Sequence, residues 1–400
     1  MNQIQKRSAI TLLKIFILGL MTIIVSGYGA YFLVSKYSIS PQHNIDGDPR
    51  RTGNPDISVS QALIDNGAGW WESNGLIYHG IPARILFSLP SADRLRADGI
   101  NAAAWLEFER IGRIFNPFDP ASEIARLNGT SRSRRPPIKL TVSKDLFTVM
   151  AISRDIWALS SGNFDPTVWS VKQLWRNAEK NQQVPSKQDI DAALRFTDFG
   201  KVRLVDDTKH RIRIEDHPVM FDFGGIVKGY AVDQVRQVLL DAGVTAGLVQ
   251  LGGEIATFGH NGEGLWRLGI QHPTQMDKVW GVIAAQGSLR VSTSGNYRQA
   301  IRIRGESFYH IFSPKTGWPV SEKVLGVTTT CMGEKISSAR LDGIATAITV
   351  MGPSAGLRLA KTTGVDAVIL YETSDGAIGE LATKGLGSHY SRDDRQTEKF

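Results

Sequence analysis

A run of twenty uncharged residues near the N-terminus, IFILGLMTIIVSGYGAYFLV at 15–34, sets the first limit on how this chain can fold. A helix of that length crosses the hydrocarbon core of a membrane. Lys6, Arg7 and Lys14 precede the run, and positive charge on that side indicates a cytoplasmic start and an exported remainder. The alternative is a cleaved signal peptide, because small residues follow the apolar centre. The length of the run favours an uncleaved single-pass anchor in the inner membrane, whereas cleavage would release the protein into the periplasm.

This interpretation divides the chain into four parts. Residues 1–35 form the anchor or signal peptide, and the polar residues 36–75 are expected to act as a tether. Residues 76–387 form the working domain, and residues 388–400 are expected to be a disordered polar tail. The chain has 400 residues, 42% of them hydrophobic, which is enough for a large core.

Composition excludes several classes of function. The formal net charge of +7 favours anionic ligands, but no basic stripe interleaved with aromatic residues occurs, so nucleic-acid binding is not expected. Cys331 is the only cysteine, so the chain has no internal disulfide and no zinc site of paired cysteines and histidines. A lone cysteine in an exported domain is expected to be buried, where it packs as a small hydrophobe.

Apolar periodicity predicts short strands separated by turns, with helices set apart from them. Strands are predicted at 81–90 and, as the last in the chain, at 366–372. Ser143 is expected to cap one helix and Gly243 to close another. The helices are predicted at 101–115, 143–160, 229–243 and 338–352. This order indicates an α+β fold with antiparallel sheets, not a doubly wound parallel sheet.

The stretch FDFGGIVKGYAVDQV at 221–235 places an acid, a glycine pair and a lysine directly before a helix. Glycines let a backbone approach a ligand closely, and a helix N-terminus offers free N–H groups to an anion. Phosphate is therefore the first candidate ligand, although the spacing matches neither of the common glycine-rich phosphate motifs. The alternative is an ordinary turn that closes a strand–helix unit.

The stretch LDGIATA at 341–347 could hold a cation. Asp342 and Thr346 are four residues apart, so a helix presents them on one face. A carboxylate and a hydroxyl form a sparse site of hard oxygen atoms, which suits magnesium. The alternative is a helix-cap acid and a packing threonine, because such a pair is not diagnostic of a metal.

Eight glycine-rich or aspartate-rich segments follow one another in an order that resembles the ApbE family, the FAD:protein FMN transferases. The resemblance extends over about residues 78 to 383 and implies an α+β, T-fold-like domain of antiparallel sheets and packed helices. The segments are NPFDPASEIARLN (116–128), GNFDPTVWSVKQLW (162–175), FDFGGIVKGYAVD (221–233), GLVQLGGEIATFG (247–259), WRLGIQHP (266–273), VSTSGNYRQ (291–299), YHIFSPKTGWPV (309–320) and LDGIATAITVMG (341–352).

The resemblance implies a magnesium-dependent enzyme that transfers the FMN moiety of FAD, through a phosphoester bond, to a Thr or Ser hydroxyl of another protein. AMP is released. The implied acceptor is an extracytoplasmic redox protein such as an electron-transfer subunit. The implied metal ligands are the side chains of Asp342 and Thr346 and the main-chain oxygen of Gly225. Two alternatives stay open: an FAD pyrophosphatase that yields FMN and AMP, and a protein that binds FAD without cleaving it.

The resemblance also implies which residues contact FAD and act in catalysis. Asp342 and His310 are the implied catalytic residues, with His310 beside the flavin as a candidate general base. Phe118 lies where relatives carry an aromatic ring that stacks on the flavin. The remaining implied FAD contacts are Asn163, Phe164, Asp165, Asp222 and Lys228, and four further residues align near the pocket, namely Glu254, Ser294, Gly295 and Asn296.

The chain departs from the family pattern at three places. His79, Gly80 and Ile81 stand where relatives usually have Met-Gly-Thr, so the contact made by that methionine is in doubt. Ser313 replaces the usual aspartate before a proline, and Val227 replaces a common alanine. The implied metal ligands are all retained, so activity with an altered pocket edge is expected.

Overall fold

The structure is a computed structural model that describes residues 62–392, except 79, 90–92, 207, 263, 276, 296–299 and 321–322. The apolar run at 15–34 lies outside the described residues. Within them, no helix combines the length and the apolar character needed to span a membrane.

Seventeen strands are present in the described part of the chain. They are β1 Ile64–Asp65, β2 Trp70–Ile77, β3 Ile81–Ser88, β4 Ile138–Thr141, β5 Val202–Asp206, β6 Arg211–Ile214, β7 Ala246–Leu251, β8 Glu254–Phe258, β9 Trp266–Gln271, β10 Val279–Ala285, β11 Leu289–Gly295, β12 Ala300–Ile303, β13 Glu306–Tyr309, β14 Val324–Met332, β15 Asp366–Glu372, β16 Ile378–Ala382 and β17 Tyr390–Arg392.

Nine of these strands form one sheet in the order β1-β2-β3-β7-β8-β11-β14-β15-β16. Every neighbouring pair in it is antiparallel. Three smaller sheets have the orders β17-β10-β9, β12-β13 and β4-β6-β5. The predicted α+β architecture with antiparallel sheets is confirmed.

Eight α-helices are described, and two of the predicted ends are found. The Ser143 side chain accepts the N–H of Leu146 at the start of α3, and Gly243 follows α6 with a left-handed φ of 78°. The helices are α1 Arg94–Phe115, α2 Glu123–Ser133, α3 Lys144–Leu159, α4 Trp169–Asn181, α5 Lys187–Leu194, α6 Val227–Asp241, α7 Ser338–Met351 and α8 Pro353–Thr363.

The core lies on both faces of the large sheet, because alternate strand residues point to opposite sides. Ile85 and Val249 join the cluster that includes the buried faces of α1, α3, α6 and α7. Leu86 and Leu248, their chain neighbours, pack on the other face, against Trp266 and its neighbours in the β9-β10-β17 sheet. Cys331 is buried, as expected.

The folded region is larger than the sequence predicted at both ends. Strand β2 begins within the predicted tether, which was expected to extend to residue 75, yet Trp71 is buried and the whole strand pairs with β3. Strand β17 falls within the predicted tail and pairs with β10. Strand 366–372 is followed by β16 and β17, so it is not the last. The β17 segment is ordered because its backbone groups bond to the distant strand β10, which local composition does not reveal. Strand β2 is ordered because it forms a hairpin with β3, which in turn pairs with β7.

Candidate active site

The site begins where helices α6 and α7 cross. A Cβ atom added to Gly229 in α6 would lie 2.2 Å from the main-chain oxygen of Ser338 in α7. Only a residue without a side chain allows this approach. The Gly229 N–H then donates a hydrogen bond of 3.0 Å to Oδ2 of Asp342. The crossing therefore brings the start of α6, with its preceding glycine turn, against the LDGIATA face of α7.

Asp342 is fully buried and lies beside a lysine. Nζ of Lys228 is 3.3 Å from each Asp342 carboxylate oxygen and 3.4 Å from Oε1 of Glu254. It also donates to the Gly224 carbonyl at 3.4 Å. Burial by itself would lower the pKa of the Lys228 ammonium, but the two carboxylates outweigh it and the pKa is raised. Lys228 therefore stays charged at neutral pH.

Glu254 is the second carboxylate of this group and is also fully buried. Oε1 lies 3.3 Å from the Ser292 hydroxyl, whereas Oε2 has no hydrogen-bond partner among the described residues. Burial raises the pKa of the Glu254 carboxyl, and the Lys228 ammonium offsets this only in part. A buried polar atom without a partner is costly. This one lies beside the implied metal and phosphate site.

Thr346 and Gly225 meet one helical turn further along α7. The Thr346 hydroxyl donates to the Gly225 carbonyl at 3.1 Å. A Cβ atom on Gly225 would lie 3.0 Å from both Oγ1 and Cγ2 of Thr346, so a larger residue would have to displace the threonine by a few tenths of an ångström. The structure thus brings the hydroxyl and the main-chain oxygen together, with Asp342 on the same face of the same helix.

These residues fit a magnesium ion. Among the described residues, no cluster of three or more His, Cys, Asp or Glu side chains is placed to hold a metal. The implied set has one carboxylate, one hydroxyl and one carbonyl, all hard oxygen atoms, and magnesium commonly completes such a set with waters and substrate phosphate. The Lys228 ammonium beside Asp342 shows that this position accommodates positive charge.

Asp222 organises the turn before α6. Its Oδ1 accepts the N–H of Gly224 at 3.0 Å, and its Oδ2 lies 2.6 Å from Nζ of Lys172 in α4. The Asp222 N–H donates to the Pro166 carbonyl at 2.7 Å. The role of Lys172 was not predicted, because no local sequence pattern links it to Asp222, which lies fifty positions away.

Phe118 packs against α4 on the side that carries Lys172, and it is 41% exposed. The Arg176 guanidinium carbon is 4.0 Å from its ring centroid, in a cation–π arrangement. The Trp169 ring contacts it edge-on, with centroids 5.0 Å apart. Phe118 is therefore an accessible aromatic surface that α4 supports.

The NFDP stretch has internal partners. Phe164 is buried in the main core. Asp165 accepts hydrogen bonds from Thr167, from Nε1 of Trp157 at 3.1 Å and from the N–H of Phe199 at 3.0 Å. Burial raises the pKa of Asp165 although these bonds oppose it. In this structure the stretch builds the turn that leads into α4.

Asn163 lies in the turn that follows α3, and His310 lies at the end of a β-hairpin. The Asn163 amide donates to the Ser160 carbonyl at 2.7 Å. His310 directly follows the β12–β13 hairpin, which packs on α4 through Trp175 and Phe308, with ring centroids 5.1 Å apart. Ser294 and Gly295 end strand β11, while Asn296 and His79 fall outside the described residues.

A model of the ApbE family matches residues 80–369. The chain belongs to the ApbE family. The match extends over most of the folded region and includes the glycine turn, the hairpin that carries His310, and α7 with Asp342 and Thr346.

Several relatives of this ApbE chain are named FAD:protein FMN transferase. A protein of Klebsiella pneumoniae named FAD:protein FMN transferase is 26% identical over 293 residues, which cover 72% of this chain and 81% of the relative. A protein of Escherichia coli with the same name is 25% identical over 292 residues, with the same coverage.

Solved ApbE structures share the fold. The ApbE protein of Thermotoga maritima superposes with a TM-score of 0.69 at 27% identity, over 80% of this chain and 99% of that one. The flavinyl transferase ApbE of Pseudomonas stutzeri, in its apo form, gives a TM-score of 0.67 at 25% identity, over 80% and 96%. The ApbE-like fold implied by the sequence is thereby confirmed.

Proposed function

We propose that this chain is an FAD:protein FMN transferase, an enzyme that moves the FMN moiety of FAD onto a Thr or Ser hydroxyl of another protein and releases AMP. One observation carries the proposal beyond the names of the relatives. Asp342 and Thr346 lie one turn apart on the same face of α7, and the Thr346 hydroxyl donates to the Gly225 carbonyl in the turn before α6, which supports a shared metal site. Those are the three metal ligands that the family resemblance implied.

The reaction replaces the phosphoanhydride bond between the two phosphates of FAD with a phosphoester bond to the acceptor. The acceptor oxygen forms a bond to the FMN phosphorus, and the bond from that phosphorus to the bridging oxygen breaks, so that AMP leaves with the bonding electron pair. The hydroxyl proton passes to a base, for which His310 is the candidate. A Mg²⁺ ion held by Gly225, Asp342 and Thr346 would neutralise negative charge on the diphosphate during this exchange.

The protein's own groups bind and orient the dinucleotide. Phe118 offers an exposed ring for stacking on the flavin. Lys228 keeps its charge between Asp342 and Glu254, so it offsets phosphate charge at the same place. Phe164 and Asp165 support these groups by fixing the turn into α4, and the Asp222 carboxylate fixes the glycine turn.

The sequence supports a place of action, and the family resemblance supports the kind of acceptor. The uncharged run at 15–34 supports an inner-membrane anchor or an export signal. We therefore place the reaction on the periplasmic side, where the acceptor is a redox protein that carries covalent FMN, such as an electron-transfer subunit.

A single incubation distinguishes transfer from its alternatives. The full chain is mixed with FAD, Mg²⁺ and a candidate exported acceptor that contains a Thr target. An acid-stable fluorescent band on the acceptor supports transfer. Free FMN and AMP without that band identify an FAD pyrophosphatase, and intact FAD identifies a binding protein; either result overturns the proposal. The same incubation with EDTA tests the need for the metal.

A further inference from the structure

We propose that Lys172 is a positioning residue of the metal site: by holding Asp222 it fixes the turn that presents the Gly225 carbonyl. This inference rests on the proposed function, because it concerns the metal that the function requires. Lys172 lies within the segment GNFDPTVWSVKQLW but is not among the residues implied for the site, and it acts through Asp222 without touching the metal ligands.

The contact between Lys172 and Asp222 is short and shielded from water. Nζ lies 2.6 Å from Oδ2, with the Asp222 side chain 8% exposed and the Lys172 side chain 28% exposed. An ion pair in such surroundings is screened less than a surface pair. Removal of the cation would leave a buried carboxylate without its charge partner, which is strongly unfavourable.

The other oxygen of Asp222 transmits this constraint to the glycine turn. Oδ1 accepts the Gly224 N–H at 3.0 Å, so the carboxylate bridges α4 and the turn. The residues on either side of the glycine pair, Phe223 and Ile226, are buried and fix the ends of the turn. Between these ends, the Asp222 carboxylate orients the Phe223–Gly224 peptide, the first of the turn.

The turn delivers the carbonyl of the next residue. The Gly225 carbonyl accepts the Thr346 hydroxyl at 3.1 Å, and a Cβ atom on Gly225 would meet Thr346 Oγ1 at 3.0 Å, so the contact is tight. A shift of the turn that rotates the Gly225–Ile226 peptide would therefore move the carbonyl away from Thr346. Outer partners that orient metal ligands typically contribute tenfold to hundredfold to metal affinity. Lys172, in helix α4, is such an outer partner, because it holds the Asp222 carboxylate.

The rival role for Lys172 is direct contact with an FAD phosphate. The two roles differ in which ligand they affect. A positioning role weakens metal binding measured without nucleotide, whereas a phosphate contact weakens FAD binding measured without metal.

The experiment uses the full chain and Mn²⁺ as the metal probe. Free Mn²⁺ is measured by its electron paramagnetic resonance signal in the absence of FAD, and FAD binding is measured by flavin fluorescence in EDTA. The variants are Lys172→Met, Asp222→Asn and the double variant, with Lys187→Met as the matched control. Lys187 is a helix lysine paired to Asp191, with an 85% exposed side chain.

We expect Lys172→Met to weaken Mn²⁺ binding roughly tenfold or more, with FAD binding in EDTA unchanged within about twofold and Lys187→Met like the wild type. The double variant is expected to bind Mn²⁺ as weakly as Asp222→Asn alone, because the lysine acts through the aspartate. Circular dichroism and thermal unfolding verify that each variant is folded. Additive losses in the double variant would show that Lys172 acts by another route and would overturn the inference.

Failure of this inference is distinguishable from failure of the proposed function. Mn²⁺ binding that depends on Asp342 but is unaffected by Lys172→Met overturns the inference and leaves the function standing. A loss of FAD binding in EDTA with unchanged Mn²⁺ affinity also overturns it, in favour of a phosphate contact. Mn²⁺ binding that survives Asp342→Ala removes the metal site and overturns both.

Discussion

Gly229 in α6 faces the Ser338 carbonyl of α7 so closely that an added Cβ atom would lie 2.2 Å from the oxygen. The contact sets the point along each helix at which the two cross, and it brings the Gly229 N–H within hydrogen-bonding distance of Asp342. Main-chain atoms cannot move aside as a flexible side chain does. We therefore expect Gly229→Ala to lower the free energy of unfolding by about 3 kcal/mol, at the upper end for overpacked sites.

Urea unfolding measures this loss, and Gly99→Ala is the matched control. Gly99 lies within α1, and its added Cβ would meet nothing within 4 Å. That control is expected to gain about 0.5–1 kcal/mol from the better helix propensity of alanine. Equal stability of the two variants would show that the helices can separate without cost.

Gly225→Ala tests the metal site with a smaller perturbation. The new Cβ would lie 3.0 Å from Thr346 Oγ1, so the carbonyl or the threonine must shift by a few tenths of an ångström. We expect Mn²⁺ affinity to fall roughly tenfold, with a loss of stability below about 1.5 kcal/mol. Gly129→Ala, in α2 with open space around it, is expected to leave Mn²⁺ affinity unchanged. Unchanged affinity in both variants would exclude the Gly225 carbonyl as a ligand.

Asp342→Ala is expected to abolish FMN transfer while leaving the fold largely intact. The variant removes the sole carboxylate of the proposed metal set, and Glu254 remains beside Lys228 to balance its charge. Transfer is measured by fluorescence of the acceptor band, and folding by circular dichroism. Full transfer with Mg²⁺ as the only metal would eliminate the assignment of Asp342.

Phe118→Ala is expected to weaken FAD binding without destabilising the protein. The ring is 41% exposed, so little core packing is lost. An aromatic stacking contact contributes about 0.5–1.5 kcal/mol, which corresponds to a loss of roughly twofold to tenfold in affinity. Flavin fluorescence measures the loss, and Leu265→Ala, at another apolar side chain that is 47% exposed, serves as the control. Equal FAD affinity in wild type and Phe118→Ala would rule out the stack.

The pH dependence of stability has a source away from the site. Asp145 in α3 receives two hydrogen bonds of 2.8 Å from Arg110 in α1 and one of 2.8 Å from Tyr230 in α6. The Arg110 hydrogen bonds, foremost, lower the pKa of Asp145 although burial opposes them. A carboxyl whose pKa is lower in the folded state stabilises the fold above its unfolded pKa, and that contribution is lost as pH falls through the folded pKa.

Asp145→Asn is therefore expected to be less stable than wild type at pH 7, with a difference that shrinks below about pH 4, near the unfolded pKa of aspartate. Urea unfolding from pH 7 to pH 3 measures it. Asp155→Asn, at an aspartate with a 65% exposed side chain, is expected to show little difference at any pH. A stability gap in Asp145→Asn that does not change with pH would contradict this origin.

The sequence by itself determined the local elements and part of the site. The cap at Ser143 and the helix 338–352 were predictable because they depend on neighbours within a few residues. The same holds for Asp342 and Thr346, since a spacing of four residues places them on one helix face. The family resemblance supplied the order of the segments and the ApbE fold.

Only the tertiary structure decided which of these elements meet. Lys228 contacts Asp342 across 114 positions, and Lys172 contacts Asp222 across 50. It also assigned Phe164 to the core and showed that the segment containing Trp71 belongs to the sheet. Periodicity and caps record the conformation of a segment, whereas long-range pairs depend on strand order and helix crossings, which arise from packing the whole chain.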